Sequence, residues 1–303
     1  MSFAQLLGIT FLIVIKVVVM ENKESFASWA GAVFMLAVIT VQMGAVFAKK
    51  LFELVGAEGA TSLRLGFAAL ILLVVFKPWR IDFKKGNIKN FLVYGLALGA
   101  MNFFFYNALK EIPIGIAVGI EFIGPLSVAL FYSRRPIDFI WIALVIVGLI
   151  LLLPLGDEVD NVNFKGVLFA LIAGFWWAIY IIFGRKVGKD YGLPIVSAGM
   201  IVGAILFAPI GLLTEGSYLF TPTVLMLGIA AALLSSAIPF ALELIAMTHI
   251  PAKTYGMLSS AEPAVGALFG ILFLSEHLFA IQWGGLAAII VASIGATLTA
   301  RGR

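Results

Sequence analysis

The sequence contains no cysteine, and it carries little charge. Of its 303 residues only 12% are Asp, Glu, Lys or Arg, and two are His. Without cysteine there is no disulfide, no thiol nucleophile and no Cys-ligated metal. The shortage of charge excludes a water-soluble domain, in which about 25% of residues are charged and about 45–50% apolar; here 62% are apolar. A formal net charge of +4 is modest, and the basic residues stand between apolar runs. They read as topology signals at a membrane surface, with no patch for nucleic acid. His249 and His277 fall at predicted helix ends. No nucleotide-binding, serine-hydrolase or zinc-protease motif lies where it could work, which argues against an enzyme and against a cofactor or metal.

What is present is a recurrence of apolar runs of about 18–24 residues, the length that one membrane-crossing helix needs. They fall at 28–48, 59–76, 90–109, 114–133, 139–155, 163–184, 194–213, 223–247, 254–275 and 279–299. The expected fold is therefore an all-α integral membrane protein of ten transmembrane helices with short loops. If the segment before Trp29 is cytoplasmic, fourteen Lys and Arg fall inside, among them Arg134, Arg135, Arg185, Lys186, Lys189 and Lys253. Four (Lys49, Lys50, Lys110 and Lys165) fall outside, and the outer loop 157–160 is Asp-Glu-Val-Asp. This asymmetry places both termini of the ten-helix core in the cytoplasm. Residues 1–27 form an N-terminal extension. Phe3 to Met20 is apolar apart from Gln5 and Lys16, and lacks the pattern of a signal peptide. It is either an eleventh span or lies upstream of a true start at Met20.

The second half repeats the first. At an offset of 138, Ala108-Leu109-Lys110-Glu111-Ile112-Pro113 meets Ala246-Met247-Thr248-His249-Ile250-Pro251, and Pro125 meets Pro263. At 136, Phe47-Ala48-Lys49-Lys50 meets Phe183-Gly184-Arg185-Lys186, and Gly56 meets Gly192. Five helices per half is an odd number, so the two copies run oppositely through the bilayer, as in secondary transporters with a site between the halves. The expected division is 28–156 for the first five-helix repeat and 157–303 for the second.

Four ionisable residues lie deep inside predicted spans: Arg64, Glu121, Glu243 and Glu262. Each costs ~2.5–3.5 kcal/mol near a helix centre on insertion scales, so such residues normally face the interior and serve function. These four are the candidates for substrate binding or proton coupling. Arg64 and Glu121 fall at similar depth, which permits an ion pair; its role is either structural or to be exchanged for a substrate's carboxylate and ammonium. An acid held away from water that moves between its protonated and charged forms is what proton coupling uses. Gln42, Asn102, Asn107, Tyr106, Trp177 and Tyr180 are candidates for a cavity wall, the alternative for the aromatics being packing or lipid contact. Pro125, Pro263 and Pro239 are expected helix kinks, since proline removes a ladder hydrogen bond. Pairs of small residues at Gly95/Gly99, Gly115/Gly119, Gly199/Gly203 and Gly266/Gly270 are expected at close helix crossings.

The five-plus-five layout resembles the drug/metabolite transporter superfamily in its EamA-type branch. Residues 113–139 (PIGIAVGIEFIGPLSVALFYSRRPIDF), with FKPWR (76–80), LLPLG (152–156) and WAIYI (177–181), are most similar to the threonine- and homoserine-exporting members. The resemblance covers about residues 29 to 300. It implies a bacterial inner-membrane exporter of small amino acids, driven by protons and working by alternating access, whose partners are the amino acid, protons and lipid. It implies a cavity between the halves, with the fifth and tenth helices at the periphery. Export of hydrophobic amino acids, purines or drugs by the same fold remains the alternative, and a non-transporting scaffold is the more distant one.

Overall fold

The computed structural model describes residues 30–112, 114–152, 163–274 and 279–301. Among the described residues every regular element is helical. In chain order these are α1 (Ala30–Phe76), α2 (Ile88–Glu111), α3 (Ile114–Glu121), α4 (Ile123–Tyr132), α5 (Pro136–Leu152) and α6 (Phe164–Tyr191). Then follow α7 (Pro194–Glu215), α8 (Pro222–Ala232), α9 (Ile238–His249), α10 (Ala252–Leu258), α11 (Ala261–Leu274) and α12 (Ala280–Arg301). A single π-helical turn, Leu233–Ala237, joins α8 to α9. Among the described residues five segments are long and apolar enough to cross a membrane: Lys50–Phe76, Ile88–Glu111, Phe164–Tyr191, Pro194–Phe220 and Pro222–His249. Ala30–Ala45, Ile116–Tyr132, Pro136–Leu151 and Ala280–Ala292 are shorter apolar helices. The N-terminal extension, Pro113, the acidic loop 157–160 with the expected repeat boundary, and His277 lie outside the described residues.

The helices break where the two copies align. α1 is interrupted at Gly56 (φ 60°, ψ −170°), and Gly192, its counterpart at an offset of 136, caps α6 with almost the same backbone (φ 72°, ψ −167°). A side chain is strained in that region, so glycine is required at both turns. Further on, α3 and α4 start at Ile114 and Ile123, and α10 and α11 start at Ala252 and Ala261. Each second-half helix begins 138 residues after its first-half partner. The kinks expected at Pro125, Pro263 and Pro239 are displaced: each chain break precedes its proline. Pro125 and Pro263 stand third in α4 and α11, and Pro239 stands second in α9. A proline is tolerated in the first helical turn because its missing N–H has no partner to lose there.

α1 packs on α7, α2 on α6 and α5 on α12. Two of the expected small-residue pairs meet each other. A Cβ on Gly95 would lie 3.2 Å from the Gly199 carbonyl oxygen, and one on Gly99 would lie 2.7 Å from the Gly203 Cα. Backbone contact of this kind is what holds helices together where burial of apolar surface drives nothing. α5 and α12 each present outward apolar side chains, such as Ile140 and Val147, or Trp283 and Val291.

The two ends of the bundle differ in charge. At one end Lys110 pairs with Glu58, and Lys165 pairs with Glu111 at 2.6 Å. At the other, Arg134, Arg135, Arg185, Lys186, Lys189 and Lys253 gather around Asp138.

Candidate functional site

Two buried charges organise the interior. The first is Arg64, on the second part of α1, which is 8% exposed. Its Nη1 donates to the Tyr106 hydroxyl, and its Cζ stands 4.9 Å from the centre of the Tyr106 ring. Its Nη2 donates to Asn102 Oδ1 at 3.3 Å, to the Ser235 carbonyl at 3.1 Å and to Ser236 Oγ at 3.1 Å. Asn102 is oriented for this, since its own Nδ2 donates to the Leu98 carbonyl at 2.8 Å. The availability of Ser235 O follows from the sequence. It is the carbonyl four residues before Pro239, which has no N–H to return to it. Gly44 leaves room on the other side: a Cβ there would lie 2.5 Å from the Ser235 nitrogen.

The Arg64–Glu121 ion pair that their similar depth permits does not form. Among the described residues the ion pairs are Lys110–Glu58, Lys165–Glu111 and Lys253–Asp138. Depth along the helix axes allowed the pairing, but rotation about them decides it: the guanidinium points at α2 and the π turn. Arg64 is thus enclosed by neutral oxygens, and its buried Nε has no hydrogen-bond partner.

The second charge is Glu243 on α9, which is 7% exposed. Its Oε2 accepts from the Tyr180 hydroxyl at 3.1 Å and from the Tyr255 hydroxyl at 3.2 Å. Tyr180 stacks on Tyr94 with centroids 5.4 Å apart, and Tyr255 meets Phe34 edge-on at 4.8 Å. Glu243 lies seven residues beyond Ser236, a rise of about 11 Å along the helix. The Ser236 contact of Arg64 and the Glu243 carboxylate therefore stand at different heights along one stretch of chain.

Glu121 and Glu262 flank the paired breaks. Glu121 is the last residue of α3 and Glu262 the second of α11, so one precedes its break and the other follows it. The Glu121 carbonyl, freed by Pro125, lies against Gly174, where a Cβ would come within 2.5 Å of it. Gln42 Nε2 donates to the Glu262 carbonyl at 3.2 Å. Glu262 is close enough to Glu243 and to Glu121 for their charges to interact. Gln42, Glu121, Trp177 and Glu262 are all only partly buried.

The remaining candidates separate. Tyr106 and Asn102 hold Arg64, and Tyr180 holds Glu243. Trp177 packs edge-on against Phe122 at 6.2 Å, apart from Tyr180. Asn107 donates to its own helix, to the Phe103 carbonyl at 2.9 Å. Tyr94, Tyr255, Ser235 and Ser236 join the clusters without having been singled out in the sequence. Ser235 and Ser236 carried a readable signal, as adjacent hydroxyls just before a proline in an apolar run. The tyrosines carried none, because an aromatic in a span reads as packing.

Comparison with known proteins agrees with this architecture. Residues 164–298 match the EamA-like transporter family. The chain is 49% identical over 269 residues to the threonine/homoserine exporter RhtA of Escherichia coli, across 89% of this chain and 91% of that protein. RhtA of Salmonella typhimurium gives the same figures. It is 29% identical over 251 residues to the uncharacterized transporter YwfM of Bacillus subtilis, across 78% and 81% of the two chains. A solved crystal structure aligns with a TM-score of 0.73 at 21% identity, covering 90% of this chain and 98% of that one; at that identity it speaks for the fold alone. The apolar helices make this a multi-pass membrane protein, and the chain belongs to the EamA-like transporter family.

Proposed function

We propose that the protein exports threonine, homoserine and related small amino acids across the bacterial inner membrane, coupled to protons. In this reading ten spans form two inverted five-helix halves, 28–156 and 157–303, with both core termini cytoplasmic and alternating access between them. The cargo is suggested by the exporter named at 49% identity over most of the chain. The inverted halves are supported by the matched turns at Gly56 and Gly192 and by the helix starts at a 138-residue offset. The orientation is supported by the end-to-end difference in uncompensated cations.

The observation that carries the site is Arg64: a buried guanidinium with no carboxylate within 4 Å among the described residues, and with Nε unpartnered. A buried cation needs compensating charge, and an amino acid's carboxylate supplies it with fork-like geometry. Arg64 is held by α2 from the first half and by the π turn from the second, so a ligand there touches both moving parts. Asn102, Tyr106 and Ser236 are placed to yield or share hydrogen bonds as the carboxylate arrives. Glu121 and Glu262, partly buried beside the breaks, take the ammonium or the coupling proton. Glu243, gripped by two phenols, serves as the second proton site.

The test is efflux from proteoliposomes loaded with threonine, homoserine, leucine or a purine under an imposed proton gradient. Threonine and homoserine are expected to leave fastest, and Arg64→Gln is expected to slow them about a hundredfold. Gradient-independent flux would remove the proton coupling. Equal flux from Arg64→Gln would remove the site, and preference for leucine or purine would change the cargo.

A further inference from the structure

A second site stands at the far end of the bundle. The chain ends of α4, α5, α6 and the α9–α10 turn enclose a cavity of about 520 Å³, within the ~300–1,000 Å³ usual for small-ligand sites. Six cations face it: Arg134, Arg135, Arg185, Lys186, Lys189 and Lys253, with Asp138 as the single carboxylate.

Asp138 is already committed. It accepts from Lys253 Nζ at 2.8 Å, and from the backbone N–H groups of Arg134 and Arg135 at 3.3 and 3.2 Å. It is buried, at 2% exposure, and so fixes the Arg134-Arg135 corner against Lys253 from the other half of the chain. Arg185 is positioned by donating to the Ile250 carbonyl at 2.8 Å. Lys186 stands 4.9 Å from the centre of the Phe183 ring. One nitrogen of Arg134 is spent on the Phe131 and Ser133 carbonyls, at 2.8 and 2.9 Å. The side chains of Arg135 and Lys189 have no hydrogen-bond or ion-pair partner among the described residues.

A bias of Lys and Arg toward one membrane face explains an excess of cations in loops. It does not explain their convergence from separate segments on one cavity. The opposite end of the molecule shows the contrast, since two of its lysines, Lys110 and Lys165, are paired off with Glu58 and Glu111. We propose that this cavity binds a phosphate-bearing anion. The surplus of cations calls for more than one negative charge, and guanidinium forks match phosphate oxygens in two-point contacts. The cavity opens at the helix ends, where lipid phosphates stand. Tyr132 in its wall and the preceding Phe131 are 42% and 68% exposed, an apolar flank on which an acyl chain can lie. A lipid headgroup and a free phosphate share this chemistry, and the site is independent of the cargo and of which face it occupies.

The test uses the full-length protein in nanodiscs of phosphatidylcholine, titrated either with phosphatidylglycerol or cardiolipin or with inorganic phosphate or pyrophosphate. Thermal stabilisation and native mass spectrometry read the binding. The variants are Arg135→Gln and Lys189→Gln, both at exposed positions outside the transport site, so the fold survives. Each removed cation is expected to weaken binding about fivefold, and the double variant more than either. Saturable lipid binding that phosphate does not displace assigns a headgroup; binding of phosphate in pure phosphatidylcholine assigns a soluble anion. Overturning results are a non-saturating response, or anion binding equally strong in the double variant. Altered threonine efflux in that variant with anion binding unchanged would also overturn it, because the cavity would then be a vestibule for cargo.

Discussion

Arg64 and Glu243 are both buried charges, yet they are compensated in opposite ways. Glu243 is closed. Its Oε2 accepts two phenols, Tyr180 and Tyr255, and those rings are locked by Tyr94 and Phe34. Arg64 is open. It is surrounded by neutral oxygens, keeps a buried Nε unpartnered, and takes its contacts from both halves of the chain. The difference teaches that burial alone does not mark a binding group. A charge completed by its own neighbours acts on protons or on structure, whereas a charge left incomplete awaits a ligand.

Breaking the open cluster should have the largest effect. Arg64→Gln leaves Asn102, Tyr106 and Ser236 without their cation, and threonine efflux should fall about a hundredfold, on the order of 3 kcal/mol. Arg64→Lys keeps the charge but loses the fork and should recover little of it. Proteoliposome efflux checks both. A smaller effect is expected from Glu243→Gln. The amide oxygen still accepts from one phenol, so folding persists, but flux should stop responding to an imposed proton gradient while exchange of labelled for unlabelled threonine continues. A Glu243→Gln protein with full gradient response would reduce this acid to a structural role.

Ser236→Ala removes one of the four groups that receive the Arg64 guanidinium. Threonine affinity should weaken by roughly fivefold, about 1 kcal/mol, measured as the shift in half-saturation. Tyr255→Phe removes one of two donors to Glu243 and should leave threonine half-saturation unchanged while lowering thermal stability by about 1 kcal/mol. If the two substitutions exchange these signatures, the open and closed assignments are reversed. The smallest effect on transport should come from Gly192→Ala. It strains the turn by ~1–3 kcal/mol, and its penalty should match that of Gly56→Ala in a melting series, because the two turns share a backbone.

Much of this could be read without coordinates. The four charges stood out because an apolar run makes an ionisable side chain conspicuous. The offset between the halves was legible, and so was the alignment of Gly56 with Gly192; the breaks beside the prolines and the positive φ of both glycines came only with the structure. What failed was azimuth. Arg64 and Glu121 fall at similar depth, but a helical side chain also has a direction, and a fraction of a turn about the axis separates an ion pair from two unrelated groups. The kinks failed by a few residues for a related reason: proline sits comfortably inside the helix that follows a break, so it marks the restart rather than the bend.

By itself, then, the sequence determined that the chain is helical and membrane-embedded, that several segments of its two halves match at nearly one offset, and which few charges are costly enough to matter. These follow from composition and period, which every residue carries locally. Only the tertiary structure decided that Arg64 meets Tyr106, Asn102 and the Pro239-freed carbonyl, that Glu243 is closed by two tyrosines, and that cations from separate segments converge on one cavity. Those are properties of helix rotation and crossing, set by where Gly95 and Gly99 meet Gly199 and Gly203 and by where Gly44 admits the π turn. No single helix contains that information.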